Sequence, residues 1–307
     1  LLPSTTALAV FLVCAMARYW QAERDQRFVK NAFKTFVSPN LVDSLALHPE
    51  ALKLGGARKE CTFLFSDLAG FTSFVEQSPP EVAVPLLNEY LDNIVRIGLK
   101  HGGYLDKIVG DATVFHFNAF LPPMDQPDHA QRAYDCAREM TEWSQAFSAL
   151  KRAEGIPLNE TRIGVNTGWV TMGNFGGAIF DYTAHGDAIN TAARLESAGK
   201  FLGVHTSIAG ATVEKLDGFM GRPCGTLVLK GQTVGTPVFE PLSENRLNTP
   251  AIRAYLTAYA LMEREDPRAL EAMEAVLQLD PADGLAKLHA GRLAGGARGV
   301  KIVMTSK

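Results

Sequence analysis

Strong charge is the first thing this chain lacks. Its formal net charge is only −3 over 307 residues, so no overall positive field gathers nucleic acid. Cysteine is scarce as well: Cys14, Cys61, Cys136 and Cys224 lie far apart and form no C-x-x-C pair. That excludes a disulfide framework and a thiolate zinc site, and leaves small buried apolar residues of a reducing compartment. Charge is absent altogether from Leu1 to Ala17, LLPSTTALAVFLVCAMA, and no methionine opens the chain. An uncharged run of that length sits at the short limit for a membrane span. Arg18, Tyr19, Trp20, Arg24, Arg27 and Lys30 follow it, as suits a cytoplasmic interface. The expectation is therefore the cut end of a longer protein whose last transmembrane helix finishes near Ala17, placing it at the inner (cell) membrane with the remainder in the cytoplasm. A signal peptide is the rival, although its basic residues usually precede the apolar core. A buried soluble helix is the third reading.

What is present divides into residues 1–17, the end of that helix; 18–56, a helical linker; 57–243, the main domain; and 247–307, a helical extension and tail. In the linker, Trp20, Phe28, Ala32 and Phe33 fall loosely on one side of a helix, able to hold two subunits in parallel. In the main domain a strand from Cys61 turns at Gly70 into a helix from Phe71. Ser78-Pro79-Pro80 interrupts it before a longer helix, Glu81 to Lys100, whose Val84, Leu87, Leu91, Ile94, Val95 and Leu99 predict the face laid on a sheet. A hairpin around Gly110-Asp111, a helix near 128–150, glycine-punctuated strands TRIGVNTG and WVTMGNFG, and a helix from Gly186-Asp187 follow. This alternation predicts one mixed sheet with helices mainly on one face, an α+β fold. Beyond Asn248 the composition turns to Ala, Leu, Glu and Arg, with Asp266-Pro267 and Asp280-Pro281 as expected helix starts. The extension resembles a single tetratricopeptide-like helical pair, which cannot bury its own face and so needs the main domain or a dimer partner.

Two carboxylates stand out. Asp67 in CTFLFSDLAGFT and Asp111 in YLDKIVGD each sit where an apolar strand surfaces, an arrangement that suits hard divalent cations. By spacing alone, two ordinary turn aspartates would look the same. Asn190 and Arg194 stand at i and i+4, on one helical face. In isolation that is a solvent-facing pair.

Together with DYTAHGDAINTAARLES at 181–197 and LKG at 229–231, these stretches resemble in order the catalytic domain of class III nucleotide cyclases, the adenylate and guanylate cyclases. The resemblance implies a ferredoxin-like cyclase core, an α/β sandwich, and attack of the ribose 3′-hydroxyl of a nucleoside triphosphate on its α phosphorus with loss of pyrophosphate. It implies two divalent cations per site, Mg2+ or Mn2+, held by Asp67, Asp111 and the Leu68 carbonyl. Amides of Ala69, Gly70, Phe71 and Thr72 would meet phosphate oxygens. Asn190 would orient the ribose, Arg194 the α phosphate and Lys230 the terminal phosphates. Lys107 matches the position where adenylate cyclases carry a lysine and guanylate cyclases usually a glutamate. Its ammonium donates to the unprotonated N1 of adenine, whereas guanine N1 carries a proton. Thr183 matches the threonine of many bacterial relatives that accepts from the adenine amino group. ATP is thus the expected substrate, as in bacterial membrane-receptor adenylate cyclases. Because metal and base-reading residues come from different subunits in the family, a homodimer with two shared active sites is implied.

Two departures accompany the match. Trp169 stands where some animal relatives carry a phosphate-contacting arginine, and Gly176 to Phe180 lacks the basic residues that bacterial relatives often have there. Asp181 and Asp187 match no metal or base position and are assigned turn or capping roles. The rivals are a guanylate cyclase, against which Lys107 speaks, and a silent nucleotide-binding or dimerisation domain, which would be expected to lack a metal aspartate, the Asn or the Arg. The G-G-D/E-E-F signature of diguanylate cyclases is missing from the hairpin.

Overall fold

A computed structural model describes residues 11–12, 14–21, 23–24, 55–119, 125–177, 180–229, 231 and 233–304. The chain divides into two units, Leu1–Lys53 and Leu54–Lys307. In the first, the described residues between Phe11 and Arg24 are helical. Here the expected membrane anchor and inner-membrane location are corrected. Among the described residues no helix is long and apolar enough to cross a membrane. A span needs about 20 predominantly apolar residues, and Arg18, Glu23 and Arg24 already bring charge into this helical stretch.

The second unit is built on one long ribbon. Strand β1 (Gly55–Leu68) pairs antiparallel over its whole length with β4 (Thr161–Gly176), from Gly55 opposite Asn174 to Leu68 opposite Thr161. On the other side of β1 lies β3 (Ala112–Phe117), hairpinned to β2 (Tyr104–Val109) through Gly110, whose φ is 64°. Beyond β4 come β6 (Thr206–Ala209), β8 (Thr236–Pro241), β7 (Gly221–Val228) and β9 (Lys301–Val303), giving the order β2-β3-β1-β4-β6-β8-β7-β9, while β5 (Phe180–His185) pairs with the far end of β4. The α+β, cyclase-like core with a mixed sheet and C-terminal helices is thus as expected.

TRIGVNTG and WVTMGNFG form one strand, not two, because their glycines serve helix contact and do not break the chain. A Cβ on Gly164 would lie 2.2 Å from the Ala192 carbonyl oxygen, and one on Gly168 would lie 2.8 Å from the Ala188 Cβ, so both make room for α4 (Asp187–Leu202). Alternation along a strand sends successive side chains to opposite faces. Leu64, Ile163 and Val165 join the core with α2 (Pro80–Lys100) and α3 (His129–Ala153). Phe63, Phe65, Asp67, Arg162 and Gly164 therefore occupy the opposite face, where α4 lies. The helices are shared between the two faces.

Before α2 comes α1 (Phe71–Gln77), which starts at Gly70 with φ 75°. Pro79 caps α2 and Pro80 fills its first helical position, where no N–H is needed. The buried stripe of α2 is Ala83, Leu86, Tyr90, Ile94 and Ile97, whereas Val84 is 54% exposed and Leu87, Leu91 and Val95 are only partly buried. The phase differs from expectation because small residues approach the sheet most closely. A Cβ on Gly98 would lie 2.2 Å from the Phe115 ring.

After two one-turn helices, α5 (Gly210–Val213) and α6 (Glu244–Leu247), the extension forms α7 (Pro250–Glu263), α8 (Ala269–Leu279) and α9 (Gly284–Ala294). The caps of α8 and α9 are Arg268 and Asp283, two and three residues later than the Asp-Pro pairs suggested, since Asp266 and Asp280 close the preceding turns onto Arg268 and Ala282. Tyr255, Met262, Met273, Val276 and Leu285 bury themselves with Leu195 and Leu202 of α4 and with Cys224 and Leu227 of β7. The packing is pinned by Arg222 of β7. Its guanidinium donates to Glu240 at 2.6 Å and bidentately to Asp283, under the Tyr255 ring at 4.5 Å. The tail then returns as β9 beside β7, a strand the helical composition did not predict.

Candidate active site

Asp67 is the last residue but one of β1, on the face opposite α2 and α3. Across the strand pair stands Arg162, the only charged residue of β4, whose Nη2 donates to the Asp67 carboxylate while its Nε donates to Glu196 of α4 at 2.9 Å. The hairpin turn brings Asp111 to the same place, where its Oδ2 accepts from the Leu68 N–H at 3.1 Å. Burial first, then the charge of Asp67 and a hydrogen bond between the two carboxyls, pushes Asp111 up to about 6. Two acids share one pocket there, and a cation would relieve them. Among the described residues no group of three or more His, Cys, Asp or Glu could hold a metal ion.

Arg162 and Glu196 went unnoticed in the sequence. The available signal was a lone charge inside an otherwise uncharged strand. Of the four amides expected to face phosphate, Ala69 is already engaged, donating to the Glu160 carbonyl at 3.3 Å. Gly70, Phe71 and Thr72 follow at the start of α1.

Lys107 and Thr183 are brought together from β2 and β5. Tyr104 fastens these strands, its hydroxyl donating to the Tyr182 carbonyl at 2.8 Å. The Lys107 ammonium lies 3.2 Å from Asp106 and 3.9 Å from Asp181. Asp181 thus sits in a strand facing this lysine, not in a turn. Thr183 is 7% exposed, and its hydroxyl lies near enough to the Asp106 carboxyl to lower its pKa, without a well-aligned hydrogen bond between them.

Asn190 and Arg194 stand on α4, with Asn190 exposed and its Nδ2 3.5 Å from the Gly186 carbonyl. Arg194 lies 4.0 Å from Asp187, an acid in the first turn of the same helix. A Cβ on Gly231 would lie 4.0 Å from the Arg194 guanidinium, which places Gly231 beside Arg194. Lys230 lies outside the described residues. At Trp169 a cation is nonetheless present, because the Arg58 guanidinium sits 5.1 Å above its ring.

The family model described as the adenylate and guanylate cyclase catalytic domain matches residues 56–240. Adenylate cyclase 1 of Rhizobium meliloti is 35% identical over 185 residues, 60% of this chain and 27% of that protein. Guanylyl cyclase C of Mus musculus is 30% identical over 229 residues, 73% of this chain and 20% of that protein. The chain thus spans well under half the length of these curated relatives. Among solved structures, the adenylyl cyclase CyaB from P. aeruginosa superposes with a TM-score of 0.56 at 35% identity, covering 63% of this chain and 98% of that one. The guanylyl cyclase Cya2 superposes with a TM-score of 0.53 at 32% identity, covering 62% and 96%.

Proposed function

Because this chain belongs to the adenylate and guanylate cyclase catalytic-domain family, we propose that it is an adenylate cyclase, converting ATP to 3′,5′-cyclic AMP and pyrophosphate in a homodimer with two shared active sites. The observation that carries the choice of ATP is the meeting of Lys107 and Thr183 from two strands, one presenting N–H donors and the other a hydroxyl. Adenine offers an acceptor at N1 and a donor at its amino group, whereas guanine reverses both.

The residues at the other cluster fit a divalent cation. Asp67 and Asp111 are oxygen donors held close enough to raise one pKa, and Mg2+ commonly needs only one or two carboxylates besides substrate phosphates. Asp67, Asp111 and the Leu68 carbonyl would hold Mg2+ or Mn2+, two per site. Such ions, when bound, acidify the 3′-hydroxyl and offset charge on the phosphates. Asn190 would position the ribose, while Arg194 would stabilise negative charge developing at the α phosphate. Lys230 would hold the terminal phosphates, and the amides of Gly70 to Thr72 would assist. Arg162 keeps Asp67 oriented by an ion pair.

The test is product formation from ATP and GTP with Mn2+ over a range of protein concentrations, with Asp67→Ala and Arg194→Ala. Cyclic AMP that rises more steeply than protein concentration, vanishes in each variant and partly returns on mixing them is the expected result. Cyclic GTP product from GTP in preference would overturn the substrate, and no product from either nucleotide would overturn the enzyme.

A further inference from the structure

Beneath Lys107 and Thr183 lies a cluster that the reaction as derived does not use. The Asp106 side chain is 0% exposed, yet neither of its oxygens has a well-aligned hydrogen-bond partner. Its Oδ2 lies 3.2 Å from the Lys107 ammonium and 3.8 Å from Nε2 of His116, a fully buried ring of β3 whose two nitrogens are also unpartnered. Phe63 and Tyr104 hold that ring edge-on, with centroids at 5.0 and 5.7 Å. A buried acid in an apolar wall is costly unless its lone pairs are met. The groups able to meet them are the lysine, the threonine and the histidine.

We infer that Asp106, backed by His116, is the positioning residue that sets the polarity of base recognition: it claims the Thr183 hydroxyl proton and one Lys107 N–H, so that Thr183 turns only acceptor lone pairs toward the base. This rests on Lys107 and Thr183 being the base-reading pair. A hydroxyl has one proton and two lone pairs. Once the proton is committed inward, the outward side accepts from an exocyclic amino group and repels a carbonyl. Burial, followed by the charge of Lys107, lowers the His116 pKa to about 3. The ring is neutral and its Nε2 stands 3.8 Å from Asp106, outside hydrogen-bond reach, leaving Lys107 the single cation at the carboxylate. Burial raises the Asp106 pKa, and Lys107 and Thr183 draw it back. An Asp106→Asn variant offers Thr183 an N–H2 donor as well as an acceptor, so its hydroxyl is no longer committed to one orientation.

The experiment measures binding of 3′-deoxy-ATP and its 6-oxo counterpart 3′-deoxy-ITP, which cannot cyclise, by calorimetry with Mn2+ on the full chain and on D106N. The wild-type protein should prefer the amino nucleotide at least about tenfold, the scale of one charge-assisted hydrogen bond. D106N should shrink that preference severalfold while its melting temperature stays near that of the wild type. Equal discrimination by a folded D106N would overturn the inference and leave nucleotide binding standing. Should D106N not fold, the wild type still decides, because equal affinity for the two nucleotides means Thr183 is not held as an acceptor. Binding of neither nucleotide by the wild type would overturn the proposed function and this inference with it.

Discussion

Replacing Arg222 with methionine removes the cation from the joint between the sheet and the C-terminal helices while keeping most of its apolar length. Asp283, its side chain 0% exposed, is then left without its bidentate partner, and Glu240, 7% exposed, keeps only Arg246 at 3.4 Å. Breaking a buried ion pair from one side costs about 3–5 kcal/mol, because the remaining charge stays desolvated. For a domain of this size about 1 kcal/mol shifts the melting temperature by about 2–4 °C, so R222M should melt roughly 6–20 °C lower. The deficit has a pH signature. Burial raises the Asp283 pKa, but the Arg222 hydrogen bond and charge outweigh it and hold the carboxyl below its usual value. A depressed carboxylate contributes stability above its unfolded pKa and loses it as pH falls through the folded pKa. Without Arg222 that contribution is gone, so the gap between wild type and variant should narrow as both are acidified. Calorimetric melting of both proteins from neutral pH down to about pH 3 checks this, since the wild-type contribution is lost only below the ordinary carboxylate range, with Arg222→Met/Asp283→Asn expected to recover part of the loss. An R222M protein that melts within about 2 °C of wild type at neutral pH would show that the joint is held by apolar packing alone.

Gly164→Ala should destabilise by about 3 kcal/mol, because its Cβ would lie 2.2 Å from the α4 backbone. Gly291→Ala, in an exposed turn of α9 with nothing within 4 Å, should stabilise by about 0.5–1 kcal/mol; urea unfolding of both gives the signs, and equal effects would refute the close approach of α4. Burial lowers the pKa of His116 to about 3 and of His289 to about 4. Stability should therefore be full above about pH 6.5 and fall by roughly 1.4 kcal/mol per pH unit for each histidine below it. A flat denaturation profile between pH 7 and 5 would refute their burial as neutral rings. With Asp111 pushed up to about 6, Mn2+ binding near pH 6 should release protons, so its calorimetric heat should depend on the ionisation enthalpy of the buffer. A buffer-independent heat at that pH would count against Asp111 as a ligand.

The chemistry was most readable where it is written in short strings. SDLAGFT, IVGD and DAINTAARLES each keep their residues within a turn or two, so the hairpin at Gly110 and the helix carrying Asn190 and Arg194 follow from local pattern, whereas the convergence of Asp67 on Asp111 was implied by the family resemblance alone. Periodicity was less reliable. Counting large apolar residues along α2 selected Val84 and Leu87, but the buried side runs through Leu86, Tyr90 and Ile94 to Gly98, whose small size is what permits contact with Phe115. The same inversion applies to β4, where glycines that punctuate a sequence are seats for α4.

Residues that act through distant partners left the weakest trace. Arg162 meets Asp67 across 95 positions and Glu196 across 34. Arg222 meets Asp283 across 61, and nothing near either arginine names its acceptor. Both had one local sign, a charge inside a strand that must bury it. A guanidinium on a buried strand requires carboxylates from elsewhere in the fold. In β4 those carboxylates come from the end of β1 and from α4. In β7 they come from β8 and the cap of α9. Each arginine thus ties the sheet to the helix packed on it. Arg162 does so where Asp67 and α4 approach, so the carboxylate proposed to hold the metal and the helix proposed to carry Asn190 and Arg194 cannot shift independently within one chain.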